Sequence, residues 1–157
     1  KVYISPKRFN LTKMASAFTK YISNNKEYFY SVFRIMVGLL FVQHGLQKIF
    51  GWFGAQGATP LFSLFGLAGV IELVGGTLLV LGLFTRVAAF AGIVDMIGAY
   101  FIAHAPSGLV PVMNKGELAL LYLATFLILF SHGGQKWSLD NLIASRNSGS
   151  KKAAKKE

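Results

Sequence analysis

Apolar residues collect in four blocks, at 28–50, 61–84, 87–103 and 118–130, separated by short links rich in Gly, Pro and polar residues. A helix needs about 20 mostly apolar residues to cross the hydrocarbon core of a bilayer. The second block meets that length with Glu72 as its only charge. The first is long enough but carries Arg34, His44 and Lys48, and the third is shorter and holds Asp95. The fourth is the shortest, with 13 uncharged residues. The pattern predicts an all-α, four-helix transmembrane bundle with spans at about 28–50, 61–84, 86–104 and 117–131. The alternative of a soluble helical bundle leaves too little polar surface to cover three such blocks. The first block is also too long for the apolar region of a cleavable signal peptide, and no small-residue cleavage site follows it.

Ahead of the first block, Leu11, Met14, Ala15, Phe18, Tyr21 and Ile22 recur at helical spacing, with Lys13 and Lys20 on the opposite side. This predicts a short amphipathic helix lying in the membrane interface, or offering a docking face to a partner, ended by Ser23-Asn24-Asn25. Three regions result: an interfacial segment 1–26, a membrane domain 27–133 and a polar basic tail 134–157, disordered from residue 146.

A net charge of +10 first suggests nucleic acid, but the distribution of charge argues otherwise. Lys1, Lys7, Arg8, Lys13, Lys20 and Lys26 precede the first block. Lys136, Arg146, Lys151, Lys152, Lys155 and Lys156 follow the fourth, and Arg86 sits in the turn at 82–86. The other two links hold only Lys48 and Lys115. The positive-inside rule then places both termini and the 82–86 turn in the cytoplasm, where the basic residues meet anionic lipid. The chain contains no cysteine, which excludes disulfide exchange and thiolate-held metal or iron–sulfur chemistry within it.

Charged side chains inside a span are costly and mark either packing or function. Arg34, Val37, Phe41, His44 and Lys48 form one stripe of the first span. Glu72 stands between Ala68 and Gly76, and Asp95 between Ala91 and Ala99, so both acids share a face with small residues and should look into the bundle. The expected network is Arg34 paired with Glu72 or Asp95. Nearer the outer surface, His44, Lys48, Asn114 and Glu117 form a second polar cluster, with Lys48 paired to Glu117. His104, nine residues beyond Asp95, falls on the opposite side of an ideal helix from that acid, but at a helix end before Pro106 its direction is open, and His132 falls at the cytoplasmic end. These groups either fix helix register or line a polar cavity for a quinone head group or a proton relay. Phosphate loops, nucleophile triads and metal-ligand spacings are absent from the sequence, which therefore points to no catalytic residue and no metal site.

The ordered set Arg34, His44-Gly45-x-x-Lys48-x-x-Gly51, Glu72 with Gly75-Gly76, Gly82-Leu83-Phe84-Thr85-Arg86, Asn114-Lys115-Gly116-Glu117, Ser131-His132-Gly133-Gly134 and Ser138-Leu139-Asp140 resembles the DoxX family of small four-helix membrane proteins. The similarity runs from about residue 34 to residue 140. Members are linked to membrane redox work, including a subunit of a thiosulfate:quinone oxidoreductase and proteins associated with quinone or catechol detoxification. The resemblance implies a membrane subunit of a quinone-linked oxidoreductase that anchors a membrane or soluble partner, with quinone as the expected ligand and no cofactor held by the chain itself. A structural subunit without a redox role, a proton-coupled transporter and a homo-oligomer are the competing expectations.

Overall fold

The structure, a computed structural model, describes residues 11–54 and 57–154. Six α-helices follow one another without a strand among the described residues: α1 (Leu11–Phe50), α2 (Leu64–Leu81), α3 (Thr85–Gly98), α4 (Pro111–Asn114), α5 (Glu117–His132) and α6 (Leu139–Ala154). A π-helical segment, Ala99–His104, continues α3, and a single 3-10 turn follows it. α1, α2 and α3 with its continuation are each long and apolar enough to cross a membrane, and α5 is a shorter apolar helix of 16 residues.

α1 is one helix of 40 residues, about 60 Å long. The expected break at Ser23-Asn24-Asn25 is absent, so no separate interfacial helix forms over the described part of segment 1–26. The polar residues bond back into their own helix instead of ending it: Asn25 Nδ2 donates to the Tyr21 carbonyl at 2.8 Å and Thr19 Oγ1 to that of Ala15 at 2.9 Å. Residues 1–10 of that segment, with Lys1, Lys7 and Arg8, lie outside the described residues, as do 155–157 of the tail. The tail is also not irregular from residue 146, since α6 runs on to Ala154. α2 begins later than expected because Pro60 and Ser63 build a turn first, with Ser63 Oγ capping the helix through the Gly66 amide at 3.0 Å.

α1 and α2 pack backbone to backbone. A Cβ on Gly38 would fall 2.8 Å from the Gly76 carbonyl oxygen, and a Cβ on Gly76 the same distance from that of Gly38. Without a hydrophobic drive between helices in lipid, such close approach is what holds them. Between α1, α3 and α5 the core is aromatic: the Phe41 and Phe126 rings meet edge to face at 4.7 Å, and Tyr122 stacks on Phe126 at 5.8 Å.

At the end of the bundle holding the α2–α3 turn, two charges neutralise two helix ends. Arg34, fully buried, donates from Nη1 to the carbonyls of Leu79 and Val80, in the last turn of α2, and from Nη2 to the Trp137 carbonyl at 2.7 Å. The expected pairing of Arg34 with Glu72 or Asp95 is thus replaced by pairing with backbone. The carbonyl end of α2 presents partial negative charge within reach, while the acids lie further along the bundle. Asp140 completes the arrangement from the other side of the turn. Its carboxylate accepts from the amides of Phe84 at 2.8 Å and Thr85 at 2.9 Å, capping α3, and its own amide donates to the Gly82 carbonyl. Gly82 sits at φ +64°, and a Cβ there would strike the Arg34 guanidinium, so this corner needs glycine twice over. Asp140→Ala is expected to cost about 1–2 kcal/mol, the range for a lost helix cap. Thermal unfolding in detergent checks this, and an unchanged midpoint would mean the cap carries no weight.

Candidate functional site

The opposite half of the bundle holds the remaining buried charges. The close α1–α2 packing brings Lys48 against Glu72, and the two form an ion pair through Nζ and Oε1. The expected partner of Lys48 was Glu117, but Glu117 opens α5 as an exposed residue. The glycine-lined contact of α1 with α2, where a Cβ on Gly69 would fall 2.9 Å from Lys48 Cβ, sets Lys48 beside Glu72 instead. Glu72 is 2% exposed, and its second oxygen, Oε2, is buried with no hydrogen-bond partner among the described residues.

Around this pair lies a cavity of about 170 Å³, lined among others by Phe41, His44, Lys48, Glu72, His104 and Tyr122. His44 meets the Tyr122 ring edge to face at 5.8 Å. Of the outer cluster expected from sequence, His44 and Lys48 line the cavity, whereas Asn114 and Glu117 do not. Asn114 is buried in a structural role, donating to the Gly108 carbonyl at 2.6 Å and accepting from the Gly116 amide at 2.8 Å. Its backbone carbonyl lies 3.1 Å from His104 Nδ1 and can only accept, so Nδ1 is the donor, and Nε2 is an acceptor when the ring is neutral.

Two residues lie where sequence reasoning did not put them. His104 reaches this cavity because the chain from Ala99 to His104 is wound as a π-helix, whose wider i→i+5 turns alter the angle at which His104 leaves the axis. No spacing rule for an ideal helix finds it; Pro106 just beyond was the one local signal of irregular winding. Tyr122, mid-way along α5, carries no sequence signal that sets it apart from its apolar block, and only its neighbours across the helix contact place it in the site. Asp95 is buried beside the pair but lines a different space. This is a second cavity, about 250 Å³, between α2 and α3, whose walls are Lys48, Leu64, Ala68, Ile71, Asp95, Gly98 and further apolar side chains. Asp95 Oδ2 also has no hydrogen-bond partner among the described residues.

The arrangement offers donors (the Lys48 ammonium and the Tyr122 hydroxyl), imidazoles at His44 and His104, and a buried, unsatisfied carboxylate oxygen. That is a set suited to holding a small polar ring and exchanging protons with it. No cluster of three or more potential metal ligands occurs among the described residues.

Comparison with known proteins gives the same class of molecule. The DoxX family model matches residues 29–105, a stretch that contains Arg34, His44, Lys48, Glu72, Asp95 and His104. A Haemophilus influenzae protein is 44% identical over 126 residues, covering 74% of this chain and 91% of its own length. An uncharacterised membrane protein of Mycobacterium tuberculosis is 35% identical over 72% of this chain and 80% of its own. A Bacillus subtilis protein that carries the name "Putative oxidoreductase CatD" is 32% identical, over 70% of this chain and 83% of its own. No solved structure matches the chain.

Proposed function

We propose, for a chain that belongs to the DoxX family of membrane proteins, that the cavity around Lys48 and Glu72 receives the head group of a quinone, and that the protein serves as a membrane subunit of an oxidoreductase. In this reading α1, α2, α3 with its continuation, and α5 each cross the bilayer once. The start of α1, the α2–α3 turn and α6 face the cytoplasm. Lys20, Lys26, Arg86, Lys136 and Arg146 sit toward that side, which agrees with the positive-inside rule. A soluble or membrane partner supplies the electrons, and this chain anchors it and shapes the quinone site.

The observation that carries the proposal is the half-satisfied ion pair: Glu72 spends one carboxylate oxygen on Lys48 and keeps the other buried and empty-handed beside the cavity. An unsatisfied buried polar atom costs about 1–3 kcal/mol, and a ligand hydroxyl would remove that cost. A quinone accepts hydrogen bonds at its two carbonyl oxygens, for which Lys48 and Tyr122 are donors. The reduced quinol donates, for which Glu72 Oε2 and His104 Nε2 are acceptors. One cavity therefore holds donors for the oxidised form and acceptors for the reduced form. The name of the Bacillus subtilis relative, an oxidoreductase by that name, is consistent with this class of chemistry.

The test is equilibrium binding of a tail-less benzoquinone to the purified chain. Tyr122→Phe is expected to weaken binding about tenfold, equivalent to about 1.4 kcal/mol, with the protein still folded. Glu117→Gln, off the cavity, should leave it unchanged. Absence of saturable binding by the wild-type chain, or equal binding by Tyr122→Phe, would sink the head-group assignment. Mass spectrometry of the particle gently extracted from its native membrane tests the subunit assignment separately: redox subunits in fixed ratio support it, and a chain extracted alone overturns it.

A purely structural role is the second reading, and the Arg34–Asp140 end favours it, because there Arg34 and Asp140 bond to backbone groups. Under that reading Tyr122→Phe changes nothing measurable, while loss of the chain releases its neighbours in the complex.

A further inference from the structure

Gly98 is a glycine without a structural reason. It closes α3 in ordinary helical conformation, φ −58° and ψ −49°, so it is not needed for backbone freedom. It is not needed for close packing either, since a Cβ added there would meet nothing nearer than Ile102 Cδ1 at 4.0 Å. Gly38, Gly76 and Gly92 differ: a Cβ on each would collide with backbone or an aromatic ring at 2.7–2.8 Å. Glycine inside a helix is less stable than alanine, so its presence at residue 98 calls for another account. Gly98 forms part of the wall of the 250 Å³ cavity between α2 and α3, and a larger residue would project into that space.

This cavity is continuous in its lining with the head-group cavity. Lys48 and Ala99 border both, and Ala99 is the first residue of the π-helical segment that separates them. Its walls are otherwise apolar, with Leu64, Phe65 and Leu67 more than half exposed on the outer faces of the helices. Asp95 is the polar exception, buried at the inner edge. Ligand sites usually span about 300–1,000 Å³. The head-group cavity of about 170 Å³ falls short alone, whereas a ligand occupying both cavities would have room in that range.

We infer that the α2–α3 groove is the tail channel and lateral entrance of the quinone site, taking the apolar chain of a lipid-soluble quinone from the surrounding bilayer. This rests on the head-group reading above. The ring lies beyond Lys48, between His44, Glu72 and Tyr122. The tail leaves past Ala99 and Gly98 and between Ala68 and Ile102 into lipid. The groove selects for an amphiphile with a small polar ring and a linear apolar tail, and it opens at the half of the bundle that carries the 51–63 loop.

Two probes separate the groove from the head-group cavity: the tail-less dimethoxy-methylbenzoquinone ring, and the same ring bearing a decyl tail. Both are titrated against the full chain in nanodiscs, with each affinity taken relative to wild type so that partitioning into lipid cancels. Gly98→Phe is expected to weaken the decyl quinone at least tenfold while leaving the tail-less ring within twofold. Ala68→Leu, narrowing the groove from the α2 side, should do the same by a different substitution, which guards against one variant failing to fold. Gly98→Ala should raise thermal stability and weaken only the tailed probe, by a few-fold. If both variants bind the decyl quinone as wild type does, or lose both probes in parallel, the groove is not a tail channel. If a long-chain phospholipid competes as well as the decyl quinone, the groove is a general lipid site and the inference fails. If Gly98→Phe instead disrupts a dimer seen in wild type, a second copy of the chain is the occupant, and the inference again fails. A wild-type chain that binds neither probe fails the head-group reading instead.

Discussion

Replacing Lys48 with methionine is expected to destabilise the folded chain by about 3–5 kcal/mol, the cost of leaving a buried charge without its partner. Glu72 is nearly inaccessible, and Lys48 reaches it with a side chain only a quarter exposed, so little water replaces the lost ammonium. The paired variant, Lys48→Met with Glu72→Leu, is expected to recover most of that loss, because two apolar side chains of similar bulk need no partner there. The size of the coupling measures what the pair contributes to the fold. Interhelical hydrogen bonds inside membranes are worth only about 0.6 kcal/mol on average, and the coupling of the ion pair is expected to exceed that. Unfolding of the four proteins of the cycle in mixed micelles measures it directly. The paired variant also separates architecture from function: it should fold, yet lose the tail-less quinone. If it folds and still binds, the ion pair belongs to packing alone.

The sequence made the apolar blocks legible because transfer into lipid is additive over a window, and α5 begins and ends within a residue of expectation. The buried acids were legible for a similar reason: Glu72 and Asp95 share helix faces with small residues, and that places them inward at 2% and 7% exposure. Their partners were not legible. Pairing by charge sign joined Arg34 to an acid, whereas the nearest negative charge was the partial charge of carbonyls at the end of α2, which no one-letter code displays. Lys48 was assigned by depth to Glu117, and the deciding factor was lateral distance, set by glycine contacts between α1 and α2. The Ser23-Asn24-Asn25 run looked like a helix end because these side chains compete for backbone groups. Here Asn25 satisfied the helix's own carbonyl, and the helix continued. His104 stays open in the sequence because it stands at a helix end before Pro106, where regular α spacing sets no direction, and the structure winds that end as a π-helix. The common cause is that periodicity fixes which face a residue occupies, while site assembly depends on what lies across the contact.

Arg34→Leu is expected to have the largest effect on the other half of the molecule. The guanidinium ties three elements, bonding the last turn of α2 and the segment between α5 and α6 from a position in α1. Without it the half-buried carbonyl of Trp137 loses its donor and that of Leu79 keeps only the Gly82 amide, against a cost of about 1–3 kcal/mol for a buried group left unsatisfied. Leucine fills volume but offers no proton. Arg34→Lys keeps the charge, but a single ammonium cannot reproduce the fork that serves both carbonyls, so partial rescue is expected. Hydrogen exchange reads the effect at defined places: the Phe84, Thr85 and Asp140 amides, whose bonds hold the turn against α6, should lose protection first. Amides of α2 near Glu72 should keep theirs in whatever fraction remains folded. The Lys48 end lies about 21 Å away along α1, 14 residues at 1.5 Å each, so quinone affinity per folded molecule should not change. Full protection at residues 84, 85 and 140 in Arg34→Leu would show that the turn is held by Asp140 without the arginine. A fall in quinone affinity per folded molecule would show that the two ends are coupled, and the separation of scaffold from site along α1 would have to be given up.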